Sequence, residues 1–172
     1  FFLLFQIKIV ILQGLTSSFG NGNEDVYLIK TDGFGIEQWS QTFGGTSYDW
    51  AYSVKQTTDG GYIIVGLTYS FGNDSLQSEL WLIKTDGSGA QQWTKNFGGG
   101  GGGVGWDVQQ TTDGGYIIAG SGIVGAYLIK TDSQGNVTST FNIPINPNRK
   151  LQKTVDILGK ETKPKANTPF IE

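Results

Sequence analysis

The sequence predicts an all-β protein made of repeated four-stranded antiparallel units. Three observations carry this. Several separate blocks recur at one fixed spacing. Asp-Gly pairs punctuate short runs rich in β-branched and aromatic residues, the mark of hairpin turns. No stretch shows a sustained helical period with caps.

The repeat is explicit. Asp59-Gly60-Gly61-Tyr62-Ile63-Ile64-Val65-Gly66 returns 54 positions later as Asp113-Gly114-Gly115-Tyr116-Ile117-Ile118-Ala119-Gly120. The block LIKTD starts at Leu28, Leu82 and Leu128, and the segment around Trp39, QWSQTFGG, returns as QWTKNFGG around Trp93. One unit reads as four strands. The first, Ala51 to Thr57, ends at an Asp-Gly turn. The second, Gly61 to Thr68, carries β-branched and aromatic residues. The third, Glu79 to Thr85, alternates Trp81, Ile83 and Thr85 against Leu82 and Lys84. The fourth is Ala90 to Phe97. Four short antiparallel strands in a unit of this length match a β-propeller blade in size.

These spacings predict a partial blade over 7–45, a full blade over 46–99 and a worn third blade over 100–143. Three blades are too few for the usual closed ring of about four to eight, so an incomplete or open array is expected. Residues 1–12, FFLLFQIKIVIL, are too short to span a bilayer, which takes about 20 apolar residues, and Ile7 to Gly14 falls in register with the repeat as a strand. No membrane span is expected. The absence of Met, even at position 1, is expected of a piece of a longer or processed chain.

Length changes between copies concentrate between the second and third strands. Gly14 to Gly66 is 52 and Leu82 to Leu128 is 46, while the remaining blocks keep 54. In a blade this loop opens on the same end as the connection to the next blade, so that end is expected to carry variable loops on a rigid scaffold.

Near Pro144 to Pro147 the chain changes character. All four prolines lie at 144 or later, whereas every Trp and Tyr lies at 127 or earlier. The acidic repeat region gives way to a segment with Arg149, Lys150, Lys153, Lys160, Lys163 and Lys165 against only Asp156, Glu161 and Glu172. Residues 143–148 read as an extended linker, because each Pro fixes its own φ and pushes its predecessor out of the helical region. Beyond it, Leu151, Lys153, Val155 and Ile157 alternate with Gln152, Thr154, Asp156 and Leu158, a strand pattern.

Composition narrows the chemistry. The chain has no Cys and no His, which removes disulfides, thiolate nucleophiles and the commonest general base and zinc ligand. A net charge of −3 and a pI near 4.9 argue against nucleic acid as a partner. The loops TDGSG and TDSQG lack the ligand ladder and closing Glu of a calcium loop and read as tight turns. The glycine run 98–103 has no following Lys-Ser/Thr and reads as a connection between blades, not a phosphate loop. No catalytic residue, cofactor or metal ligand is assigned.

The repeat blocks resemble the propeller-type repeats of secreted Bacteroidota surface proteins. The match lies in Asp49, Ala51, Ser53-Val54, Gln56-Thr57 and Asp59 to Ile63, then Ser70-Phe71-Gly72, Leu82 to Asp86, Gly89, Trp93 and Phe97-Gly98-Gly99. Residues 153–172, KTVDILGKETKPKANTPFIE, resemble the start of the C-terminal sorting domain of the type IX secretion system through Val155, Leu158-Gly159 and Glu161. That family's domain continues through further strands. The resemblance implies residues 144–172 as linker and sorting-domain start, a secreted or cell-surface location, and the type IX machinery as a partner.

Asp32-x-x-Gly35-x-x-x-Trp39 and Asp86-x-x-Gly89-x-x-x-Trp93 are similar to the tryptophan-docking motif of quinoprotein propellers, with a turn one residue shorter. Trp39 and Trp93 are expected to dock one blade on the next; a quinone enzyme is disfavoured by the lack of His and of clustered metal ligands. The third copy has Ser139 in place of the Trp. Tyr48, Asp49, Trp50, Tyr69 and Glu79 fall in or beside the variable loops and are the candidate ligand contacts, since Tyr and Trp stack on sugar rings and peptides. Trp106 aligns with Tyr52 and is expected in the core. The expected function is a non-catalytic scaffold for binding or adhesion, with a carbohydrate or protein ligand. The alternative is an accessory part of a secreted hydrolase or oxidoreductase whose active site lies elsewhere.

Overall fold

The computed structural model of the chain describes residues 20–72, 77–98, 102–123 and 125–144, and the backbone of 154–155 and 161–162. The described residues are all-β. Strands β1 (Val26–Thr31) and β2 (Glu37–Phe43) form a two-stranded sheet. Strands β3 (Asp49–Gln56), β4 (Tyr62–Thr68), β5 (Glu79–Thr85) and β6 (Gln91–Phe97) form a four-stranded antiparallel meander. A second meander follows in β7 (Gly103–Gln110), β8 (Tyr116–Gly122), β9 (Gly125–Thr131) and β10 (Val137–Pro144). Two-residue strands β11 (Thr154–Val155) and β12 (Glu161–Thr162) pair antiparallel, Thr154 with Thr162 and Val155 with Glu161. The expected strand at Ile7 to Gly14, and the side chains of Val155 and Ile157, lie outside the described residues.

The strands fall within two residues of the expected ones. The first strand of the central sheet starts earlier, at Asp49, because Asp49 N–H donates to Glu24 O at 2.7 Å and Asp49 pairs with Thr68. Pro144 closes β10, an edge strand, where a missing N–H costs no ladder bond.

One end of each of the first three sheets is built from tight turns. At Asp59 and Asp113 the carboxylate accepts from the N–H two residues on, Gly61 and Gly115, each at 3.0 Å. Gly60 and Gly114 take φ of 83° and 81°, a left-handed conformation that a side chain would strain. The lysine of the next strand locks each turn. Lys84 Nζ lies 2.8 Å from Asp59 Oδ2 and donates to Thr85 O, and Lys130 repeats this with Asp113 and Thr131 O. The turns at Asp86 and Asp132 are tight as expected, each carboxylate capping two or more N–H groups of its own turn.

Three layers stack in chain order. Alternation in β4 sends Tyr62 and Ile64 to one side and Ile63 and Val65 to the other. Tyr62, Ile64, Trp81 and Ile83 pack on Val26, Leu28 and Phe43 of the first sheet. Ile63, Val65, Leu80 and Leu82 pack on Val108, Tyr116, Ile118 and Ile129 of the third. Strands β4 and β5 are therefore buried along their whole length. That explains why β4 reads as an unbroken apolar run.

Trp39 and Trp93 lie at the two sheet-to-sheet contacts. The Trp39 ring sits 5.7 Å from Tyr62, and Trp93 sits 5.9 Å from Tyr116, edge to face. Each indole also lies under the turn glycine of the following sheet. A Cβ on Gly89 would come within 2.6 Å of Trp39, and one on Gly135 within 2.8 Å of Trp93. The motif thus links its Trp to the Gly one copy later.

Candidate functional site

The end opposite the tight turns carries the long connections and most of the aromatic residues outside the core. Tyr48 is exposed, and its ring meets Trp50 edge-on at 6.3 Å. Trp50 Nε1 donates to Glu24 Oε2 at 3.0 Å, tying the aromatic pair to the loop from the first sheet. Tyr69 N–H donates to Tyr48 O at 2.9 Å. Of the candidate ligand contacts, Tyr48, Trp50 and Tyr69 therefore gather around one hairpin end.

The two carboxylates among the candidates are placed differently. Asp49 is fully buried. Its oxygens accept from the Thr68 hydroxyl, the Ser70 hydroxyl at 2.6 Å and the Gly45 N–H at 2.8 Å. Glu79 is buried too, and accepts from Asn96 Nδ2 at 2.7 Å beneath Gly72 and Gly98. Asp25 holds the equivalent place in the first sheet, pressed between Gly20 and Gly44 and accepting from Asn21 N–H at 2.8 Å. Burial pushes the Asp25 carboxyl above the usual range against that hydrogen bond, with the Asp49 charge adding to the rise. All three carboxylates hold loop to strand, although Asp25 Oδ1 is buried with no hydrogen-bond partner among the described residues. A buried polar group without such partners would cost about 1–3 kcal/mol.

Trp106 departs from its expected core position: it is 50% exposed. The register shifts between Gly105 and Asp107, so Trp106 is the extra residue of a β-bulge and leaves the pleat. Tyr52 is the matching bulge of β3. The two rings meet at a tilt of 47°, centroids 4.8 Å apart, across neighbouring edge strands, and Trp106 Nε1 donates to Ser121 Oγ at 2.8 Å. Burial, with Tyr69 close by, raises the Tyr52 hydroxyl pKa. Beside the pair, Ser53 Oγ donates to Asp107 Oδ1 at 2.6 Å and Lys55 lies 3.3 Å from the same oxygen, which holds the Asp107 carboxyl below its ordinary range. Strand pattern alone missed this aromatic pair. The available signal was that bulky aromatics stand 54 positions apart, Tyr52 and Trp106, within strands whose remaining alternation breaks there.

Among the described residues no group of three or more acidic side chains is arranged to hold a metal ion. Nor is any helix among them long and apolar enough to cross a membrane. No protein-family model matches the chain, and no curated protein shows significant similarity to it.

Proposed function

We propose that the chain is a non-catalytic repeat scaffold for binding or adhesion, its sheets arranged as propeller-type blades in an open array, within a secreted or cell-surface bacterial protein. The arrangement of the long-loop end carries this reading. Tyr48 is exposed just before β3 and Trp106 is half exposed on the bulge within β7, while the carboxylates of the long-loop end are spent on holding loops. Aromatic faces on a fixed frame stack on sugar rings or on peptide side chains without any acid or base. Stacking of successive sheets through Trp39 and Trp93 supports the blade reading, because each contact repeats the same pair of residue types one copy later.

A glycan array, followed by intrinsic tryptophan fluorescence titration, tests the binding role. Trp106→Ala and Tyr48→Ala are expected to weaken binding about tenfold or more, the loss of one good stacking contact, with little change in melting temperature. A ligand bound equally well by both variants would sink this placement. Export through the type IX machinery follows from the resemblance of residues 153–172. A reporter fused to the complete native C-terminus, and found retained inside a type IX-competent host, would refute it.

A further inference from the structure

The outer face of the third sheet carries an apolar row that nothing in the described residues covers. Ala119 in β8 pairs with Leu128 in β9, which pairs with Phe141 in β10, so the three side chains share one face. Leu128 is 38% exposed, Phe141 is 64% exposed, and Ile117 flanks them on the same face. The corresponding face of the central sheet is the one buried against its neighbour. Two changes separate the two faces. Where the preceding sheets place the docking Trp39 and Trp93, this one has Ser139; where they have Gln41 and Lys95, this one has Phe141. The knob that would seat another sheet of the same repeat is gone, and a new aromatic knob stands two residues further along.

The row runs small, medium, large, which makes it complementary to itself. We propose that this face pairs with the same face of a second copy of the chain about a two-fold axis lying between the sheets along β9. Such an axis sets Leu128 against Leu128 and each Phe141 over the other copy's Ala119. Large-over-small contact is how facing sheets interdigitate at about 10 Å. An isologous contact also closes after two copies. Lys130 shares this face, but its charge is matched within the copy by Asp113 at 3.0 Å, so facing lysines are not left bare. The pairing does not depend on whether the long-loop end binds a ligand.

Sedimentation of the full chain tests it. A dimer is expected at about 100 µM that dissociates on dilution, because the apolar row is small beside a standard interface. Phe141→Glu is expected to leave a folded monomer at the same concentration. Since the chain has no Cys, single cysteines report geometry cleanly. Leu128→Cys should cross-link efficiently through a short bis-maleimide, and Gln92→Cys on the central sheet should not. A wild type that is monomeric at about 100 µM, a Phe141→Glu variant that still dimerises, or equal cross-linking at both positions would overturn the proposal.

Discussion

Ile63 and Ile117 occupy the same place in two copies of one motif, yet Ile63 is fully buried and Ile117 is 37% exposed. Leu82 and Leu128 repeat the contrast. The central sheet has a neighbour on both faces, and among the described residues the third has one. Identical local sequence therefore gives identical strands and turns, while the energetic weight of each side chain is set by what the next layer supplies. The same holds for the turn locks. The Lys84 side chain is 4% exposed and that of Lys130 24%, although both bind the same Asp-Gly turn.

The largest effects should come from the doubly covered layer. Ile63→Ala is expected to cost about 3 kcal/mol and Ile117→Ala less than about 1 kcal/mol, read as denaturant midpoints. Equal losses would mean that the third sheet's outer face is covered in solution, which at high concentration is the signature of pairing. Trp93→Ala should also cost about 3 kcal/mol, since it empties the contact with Tyr116 and Gly135. An unchanged melting temperature would remove Trp93 from the structural role.

Next in size is the buried lysine. Asp59→Ala strips Lys84 of its carboxylate and is expected to cost about 2 kcal/mol, with only Thr85 O remaining. Asp113→Ala should cost less, because Lys130 reaches water. The smallest effect is one of pH. The Lys84 ammonium and the Thr57 hydroxyl hold the Asp59 carboxyl down to about 2, against an ordinary 3.8. A depressed folded pKa gives stability that is present above the unfolded value and lost as pH falls from about 4 toward 2. Melting curves across that window should therefore fall less steeply for Asp59→Asn than for the wild type. At the other extreme, burial and the Asp59 charge push the Tyr116 hydroxyl up to about 12. A raised folded pKa means that stability declines as pH climbs from 10 to 12, which Tyr116→Phe should blunt.

Strand positions were legible because the Asp-Gly turns and the 54-residue spacing fix both ends of each hairpin. Even the doubly buried β4 announced itself, as an apolar run without alternation. Side-chain fate at the loop end was less legible. Asp49 and Glu79 lie beside loops in sequence, where carboxylates are usually solvated, yet Glu79 sinks in against Gly72 and Gly98, which have no side chains to block it, and Asp49 is drawn in by the Thr68 and Ser70 hydroxyls and the Gly45 N–H. A carboxylate flanked by such glycines in the first two copies was the signal, Glu79 with Gly72 and Gly98 and Asp25 with Gly20 and Gly44; the third copy has Gly125 at that place. Trp106 escaped for another reason: the bulge adds one residue, so the facing pattern changes phase across it and the residue's own alignment with Tyr52 does not report its exposure.

The Trp-to-Tyr contact between sheets is written twice with the same residue types. Each sheet therefore carries an address that its neighbour in another chain could also read. While the chain is dilute, the short connection at 44–48 keeps the correct partner at an effective concentration in the millimolar range, and intramolecular docking wins. Refolded at high concentration, the same redundancy turns into exchange: the first sheet of one molecule seats on the central sheet of another, and the product is a swapped assembly in which every contact is native.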